Sequence, residues 1–226
     1  TGLLGVFKRV PYDVRTALEF IIQTSRQAYV VLIDPKLPAS TLREFVAYAK
    51  ANPGKLNYGS TGEGGVAHLG TEYLKAVTGI DMVQVPYKGL GPAMAEVMAG
   101  RLALVFNTSV ASAPAFKAGE LRAIAVTGAN RMEAFSDIPT VAESGYPDYE
   151  METYYGVYGP AGIPGNILNF LHNEIATVIN SKDMKDVLAK EGAEVLPRHS
   201  PAQFKAVFLK DYARNEKLVK SLGLVK

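Results

Sequence analysis

Lys55-Leu-Asn-Tyr-Gly-Ser60-Thr61-Gly62-Glu63-Gly64-Gly65-Val66-Ala-His68-Leu69, continuing to Gly79, is the stretch on which the fold turns. Leu56 to Gly59 is a short apolar strand. Ser60, Thr61, Gly62, Gly64 and Gly65 form a turn. Val66, Leu69, Tyr73, Ala76 and Val77 then recur at helical spacing, and Gly79 stands where a helix would stop. The order is strand, glycine-rich turn, helix. Glycines allow positive φ and close approach of a ligand to the backbone. The first N–H groups of the helix lack intrahelical partners and carry the positive end of its dipole, which suits a carboxylate or phosphate. From this stretch alone an anion site and an ordinary strand-to-helix turn are equally consistent.

The same unit repeats outward. Tyr29-Val-Val-Leu-Ile33 is a β-branched apolar run that reads as a buried strand, closed by Asp34-Pro35. Ser40 is the expected N-cap of a helix with Leu42, Phe45, Val46 and Ala49 on its apolar face. Met82–Val85, Leu102–Phe106 and Leu121–Thr127 read as further strands, with helices at 93–99 and 110–118 between them. Residues 14–24 are mixed, compatible with a short helix or a strand. Alternation of strands and helices over 29–127 with short connections predicts an α/β fold with a mainly parallel, helix-covered sheet. Ligands in such sheets sit at the carboxyl ends of the strands. Three polar turns follow strands, at 59–65, 86–91 and 107–109, and are expected at one edge. They nominate Ser60, Thr61, Gly62, Gly64 and Gly65, then Tyr87, Lys88 and Gly89, then Asn107 and Thr108 as ligand contacts. Lys88 reads equally well as a solvated surface charge.

Beyond residue 128 the pattern is looser. Thr140 is expected to start a short helix over Val141–Ser144. Glu152–Tyr158 reads as a strand whose tyrosines alternate between core and exterior. Residues 165–180 form an amphipathic helix, Met184, Val187 and Leu188 belong to another that stops at Glu191-Gly192, and Ala193–Leu196 is a short strand. Ser200-Pro201 opens a long final helix with Phe204, Val207, Phe208, Tyr212, Leu218 and Val219 along its buried stripe.

Composition narrows the function classes. The 226 residues are 48% hydrophobic and 20% charged, which places the chain among globular proteins able to bury a core. A net charge of +2, without basic runs or an acidic tail, gives no support for nucleic-acid binding or for adhesion to a membrane surface. The absence of Cys excludes disulfides, thiolate catalysis and Cys-based zinc sites, and fits an oxidising compartment. No Gly-x-Ser-x-Gly elbow, His-rich metal motif or Gly-Lys-Ser/Thr phosphate loop is present, so neither an enzyme, a metal nor a cofactor is expected. His68 reads as a satisfied structural histidine, and His172 and His199 as surface residues without metal spacing.

With the turns placed, the sequence resembles the periplasmic solute-binding proteins of tripartite tricarboxylate transporters, the Bug or TctC-like family. The resemblance rests on Pro53-Gly-Lys-Leu-Asn-Tyr-Gly-Ser-Thr-Gly62, His68-Leu69, Val85-Pro-Tyr-Lys-Gly89, Ala118-Gly-Glu-Leu-Arg-Ala-Ile-Ala-Val-Thr127, Ile138-Pro-Thr-Val-Ala-Glu-Ser-Gly145 and Tyr155-Gly-Val-Tyr-Gly-Pro-Ala-Gly-Ile-Pro164. It implies a two-lobed, periplasmic-binding-protein type II-like fold that closes around a small organic carboxylate. Residues 30–155 would form the second, ligand-binding lobe, and residues 1–29 and 156–226 part of the first, with roughly the family's N-terminal third lacking. The hinge strands would be Tyr29–Ile33 and Tyr155–Tyr158. An incomplete lobe would expose apolar surface, which favours self-association. The resemblance also implies a periplasmic location, with any signal peptide lying before Thr1, and membrane transporter subunits as partners. The family commonly has Ser at the position of Gly65 and Asp at that of Asn107, so the local donor set departs from its pattern. The alternative is a ligand-sensing effector domain of a regulator with the same fold, which would require an attached DNA-binding domain.

Overall fold

In the computed structural model, residues 10–190, 192–196 and 199–223 are described. Residues 1–9, expected in the first lobe, and Glu191, expected to help stop a helix, lie outside them. The chain divides into two compact units, Gln27–Thr153 and a second one made of Thr1–Arg26 with Tyr154–Lys226.

The unit Gln27–Thr153 is built on the C-terminal half of β1 (Leu18–Ile33). Every residue from Val30 to Ile33 is fully buried, so both faces of this strand are covered. After it come α1 (Leu42–Ala51), β2 (Leu56–Ser60), α2 (Val66–Thr78), β3 (Met82–Pro86), α3 (Leu90–Met98), β4 (Leu104–Thr108), α4 (Ser109–Lys117) and β5 (Arg122–Val126). The sheet order is β3-β2-β4-β1-β5. β2 runs parallel to β3 and to β4, while β1 runs antiparallel to both β4 and β5. The expectation of a mainly parallel sheet is therefore corrected at its most buried strand. An apolar run reports burial on two faces, and carries no information on direction. The four shorter strands still share one direction, and so share one carboxyl edge.

On one face, Val30, Leu32 and Val105 pack with Ala93 and Val97 of α3 and Ala115 of α4. Close approach of α3 depends on Gly59, because a Cβ there would lie 2.7 Å from that of Ala93. On the other face a Cβ at Gly70 of α2 would lie 2.7 Å from the Phe106 ring, so that glycine seats the helix on β4.

Local signals explain the boundaries. α1 is capped by Thr41, whose hydroxyl accepts the Glu44 N–H at 3.2 Å, one residue later than the expected Ser40. Ser40 instead donates its N–H to the Glu44 carboxylate at 2.6 Å, so both residues serve the same helix start. Gly79 ends α2 in the left-handed region at φ 73°. The expected helix at 141–144 is a succession of turns. Thr140 and Glu143 exchange the reciprocal bonds of a capping box at 2.8 and 3.0 Å, but Gly145 at φ 107° halts the chain after one turn.

The other unit contains the N-terminal half of β1, β6 (Glu152–Pro160), α5 (Gly165–Ile179), α6 (Lys182–Lys190), β7 (Glu194–Val195) and α7 (Pro201–Ser221). The mixed stretch 14–24 thus resolves largely into strand. It pairs with β6, and Ser25 and Arg26 pair with β7. Phe20 lies in an aromatic cluster with Tyr158, Phe204 and Phe208, at centroid distances of 4.8–5.4 Å. Ile21 and Ile22 pack toward Ala176 and the apolar stripe of α5. Tyr154 and Tyr158 face the Phe204 cluster, whereas Tyr155 is 51% exposed, as period-two alternation predicts. Burial pushes the Tyr158 hydroxyl up to about 12. Ser200 caps α7 with a complete capping box through Gln203.

Candidate functional site

β2, β3 and β4 end at Ser60, Pro86 and Thr108, and their parallel register brings these ends to one edge. Ser60 is directly opposite Pro86, and Tyr58 opposite both Gln84 and Leu104. The three polar turns singled out in the sequence therefore lie along the carboxyl edge of a single sheet. Each opens a helix there: α2 from Gly65, α3 from Gly89 and α4 from Thr108.

The first turn is the most constrained. Ser60 is fully buried, and its Oγ accepts the Gly62 N–H at 3.1 Å and the Gln84 Nε2–H at 2.7 Å. Both lone pairs of the hydroxyl are thereby engaged, and its own hydrogen is left to donate to a further acceptor. Gly62 and Gly64 adopt φ of 98° and 75°, which only glycine takes without strain. Gly65 is the N-cap of α2 and supplies no side-chain cap. A Cβ at Gly65 would overlap Thr61 Oγ1, so the Thr61 hydroxyl occupies the space that a side chain at 65 would need. The N–H of Gly65 returns to the Gly62 carbonyl at 3.2 Å, and that of Gly64 is taken by His68 Nδ1 at 3.1 Å. By helix geometry the N–H groups of Val66, Ala67 and His68 remain without intrahelical acceptors. Glu63 is solvent-exposed.

The second turn begins with Tyr87, whose N–H donates to the Ser60 carbonyl at 2.8 Å. Its ring packs against the apolar core, so Tyr87 braces the turn and its amide is committed. Lys88 is exposed and forms no ion pair among the described residues. Gly89 caps α3 without a side-chain hydrogen bond, which leaves the Leu90 and Gly91 N–H groups at the helix start; Pro92 has none to offer.

The third turn is closed on itself. Asn107 is 4% exposed. Its Oδ1 accepts the Thr108 N–H at 2.8 Å, and its Nδ2 points at the Met94 sulfur at 3.4 Å, a weak acceptor. Thr108 caps α4 by accepting the Ala111 N–H at 3.4 Å, and its carbonyl accepts the Ser112 hydroxyl at 2.7 Å. Only Ser109 and Val110 keep unpaired N–H groups at this helix start.

Behind the first turn lies a buried polar group on α2. The Tyr58 hydroxyl donates to Glu72 at 2.7 Å, and Lys75 reaches the same carboxylate oxygen at 2.9 Å and the Met82 carbonyl at 3.1 Å. Burial and the Glu72 charge push the Tyr58 hydroxyl far above its ordinary value. Burial also lowers His68, against the pull of Glu72 and Glu63, which favours the neutral imidazole. Two of these residues escape a reading of turns alone. Gln84 supports Ser60 from the neighbouring strand, and the signal was its place two residues before Pro86, on the Ser60 face of the ladder. His68 ties the turn from within the helix, and its spacing of four from Gly64 is the corresponding clue. Among the described residues no group of three or more His, Asp or Glu is placed to hold a metal ion, and no helix is long and apolar enough to cross a membrane.

The sequence and the fold are similar to those of known proteins. The sequence profile of the tripartite tricarboxylate transporter family receptor (TctC) matches residues 4–224. A UPF0065 protein from Bordetella pertussis is 30% identical over 97% of this chain and 67% of its own length. Protein BugT from the same organism is 30% identical over 84% of this chain and 58% of its own. The chain thus spans about two thirds or less of the length of these two curated relatives. Among solved structures, R. palustris Rpa4515 with adipate is 33% identical, with a TM-score of 0.77 over 94% of this chain and 71% of that one. A TctC solute-binding protein from Polaromonas has the same fold, with a TM-score of 0.86 over 98% of this chain and 76% of that one at 21% identity. The α/β fold is accordingly that of the type II-like periplasmic binding proteins, and the chain belongs to the tripartite tricarboxylate transporter (TctC/Bug) family of solute-binding receptors.

Proposed function

We propose that the chain captures a small organic carboxylate at the carboxyl edge of β2, β3 and β4, as the extracytoplasmic receptor of a tripartite tricarboxylate-type transporter. One observation carries this reading. Of the four α-helices in the unit Gln27–Thr153, the two that begin without a side-chain cap, α2 and α3, both start at this edge beside the buried Ser60 hydroxyl. Uncapped N-termini hold N–H donors and positive dipole ends available to a carboxylate, each worth about 0.3–1 kcal/mol to a nearby negative charge. Ser60, Thr61, Gly62, Gly64, Gly65, Tyr87, Lys88, Gly89, Asn107 and Thr108 form the proposed ligand-binding set within the lobe 30–155. Direct donation is assigned to Ser60, Thr61 and the open amides, and a turn-building role to Gly62, Gly64 and Tyr87. Binding by adipate in the R. palustris relative, at 33% identity, supports a carboxylate as the ligand class. Transporter membrane subunits are the proposed partners, in the periplasm, and the role is binding without turnover.

Titration calorimetry of the 226-residue chain against mono- and dicarboxylates, adipate included, tests the proposal. Saturable heat that is lost in Ser60→Ala is expected. Absence of heat across the panel from a folded protein, or ligand turnover seen by mass spectrometry, would overturn it.

A further inference from the structure

We propose that His68 is a positioning residue for the ligand-binding turn: its imidazole accepts the Gly64 N–H and so holds the glycines between Ser60 and α2 in the shape that presents their donors. This rests on the carboxylate-binding reading of the turn, and adds to it a dependence on the protonation of one side chain.

The geometry is specific. His68 is 5% exposed, and the Gly64 N–H donates to Nδ1 at 3.1 Å. An acceptor at Nδ1 is an unprotonated nitrogen, so the ring proton of the neutral imidazole is on Nε2. Gly64 sits at φ 75° between Gly62 at φ 98° and the N-cap Gly65. Flexible residues gain little order from their own sequence, since glycine loses more backbone freedom on folding than any other residue. Side-chain bonds to the glycine amides, Ser60 Oγ to Gly62 and His68 Nδ1 to Gly64, supply that order. A proton on Nδ1 would place two donors face to face at the Gly64 contact and abolish the bond.

The surroundings favour the neutral ring. On α2 itself Glu72 and Lys75 face His68 with opposite charge, and Glu63 adds a negative charge from the turn. From β2, Tyr58 holds the Glu72 carboxylate. β4 presents the apolar Phe106 to α2. Tyr149 donates to the Gly70 carbonyl at 3.1 Å and stacks on Tyr73, which itself donates to the Asp148 carbonyl. Burial outweighs the two carboxylates, and the ring charges only below the ordinary imidazole range. Once it charges, the turn loses its anchor, and carboxylate affinity falls by up to about tenfold per pH unit for a single linked proton.

Nuclear magnetic resonance of the ligand-free chain reads the contact directly. The ring nitrogens should report an unprotonated Nδ1 at neutral pH, and the Gly64 amide resonance should move with the His68 titration. His68→Asn keeps an acceptor near the Nδ1 position and removes the titration, so its Gly64 resonance should stay constant with pH. In calorimetry with adipate, the ratio of native to His68→Asn affinity should fall as the solution is taken below the ordinary imidazole range, ligand protonation being common to both. A Gly64 amide indifferent to His68 titration, a proton on Nδ1 at neutral pH, or an affinity ratio that rises in acid through charge attraction would each overturn the inference. If no carboxylate binds at any pH, the functional reading fails while the resonance data still decide the role of His68.

Discussion

The turns that open α2 and α4 stand at the same sheet edge and solve the same problem in opposite ways. At α4, Thr108 caps the helix with its own hydroxyl and Asn107 accepts the Thr108 N–H, so a local pair of side chains closes the helix start. At α2 the N-cap is Gly65, with no hydroxyl, and the order comes from residues distant along the chain or within the helix: Gln84 through Ser60, and His68 through Gly64. The self-closed start has spent much of its donor capacity. The externally held start keeps an outward set of amides and the Ser60 hydroxyl hydrogen. A binding edge therefore arises where the sequence withholds local capping and tertiary contacts hold the backbone in its place.

Substitutions at the two helix starts test that contrast. Ser60→Ala carries the largest expected effect. It leaves the half-buried Gly62 N–H and Gln84 amide without their acceptor, at about 1 kcal/mol of stability, and removes a direct donor; urea unfolding and calorimetry should both register the loss. Unchanged carboxylate affinity in a folded Ser60→Ala protein would move the site away from α2. Gly64→Ala follows, because an alanine at φ 75° costs about 1–2 kcal/mol. Its affinity should drop while the far-ultraviolet circular dichroism stays native; a thermal midpoint equal to that of the parent would argue against the left-handed turn. Thr108→Ala should cost about 1 kcal/mol as a lost cap, with a smaller effect on affinity than Ser60→Ala. The reverse ranking would make the α4 end the dominant one. Glu63→Gln is the smallest change: removal of an exposed negative charge near a helix N-terminus should strengthen carboxylate binding, by about 0.3–1 kcal/mol at low salt, and the gain should fade as salt is added.

Acid adds a test on stability. His68 is held below its ordinary value of 6.5, so the unfolded chain takes up a proton before the folded one does. Its contribution is complete above that value and is lost as the pH falls through the lowered folded value. The stability difference between the native chain and His68→Asn should follow this course in urea titrations, and a difference constant with pH would show that His68 does not charge on unfolding.

Much of this was legible in the sequence, for local reasons. Val66 to Val77 repeat at helical spacing and Gly79 ends the helix, as observed. The three polar turns could be placed at one edge because each follows an apolar strand with a short connection. Other features were not legible. Residues 14–24 looked mixed because Gln23 interrupts the apolar pattern, yet it is buried within a long strand. The bracing role of Tyr87, whose amide donates to the Ser60 carbonyl and whose ring packs against the core, gave no sign in the sequence. A short helix was expected after Thr140, and although Thr140 and Glu143 form a capping box, Gly145 stops the chain after one turn.

The alternation of strand and helix, the glycines that require positive φ and the polar residues that follow each strand are written in residue order, because these are set by interactions among near neighbours in the chain. The tertiary structure alone decided that β1 runs against the strands beside it, that Gln84 and Ser60 meet across the ladder, and that the imidazole of His68 takes the Gly64 amide. Those choices depend on register, on burial and on which hydrogen-bond partners remain once the core is packed, and residue order leaves them open.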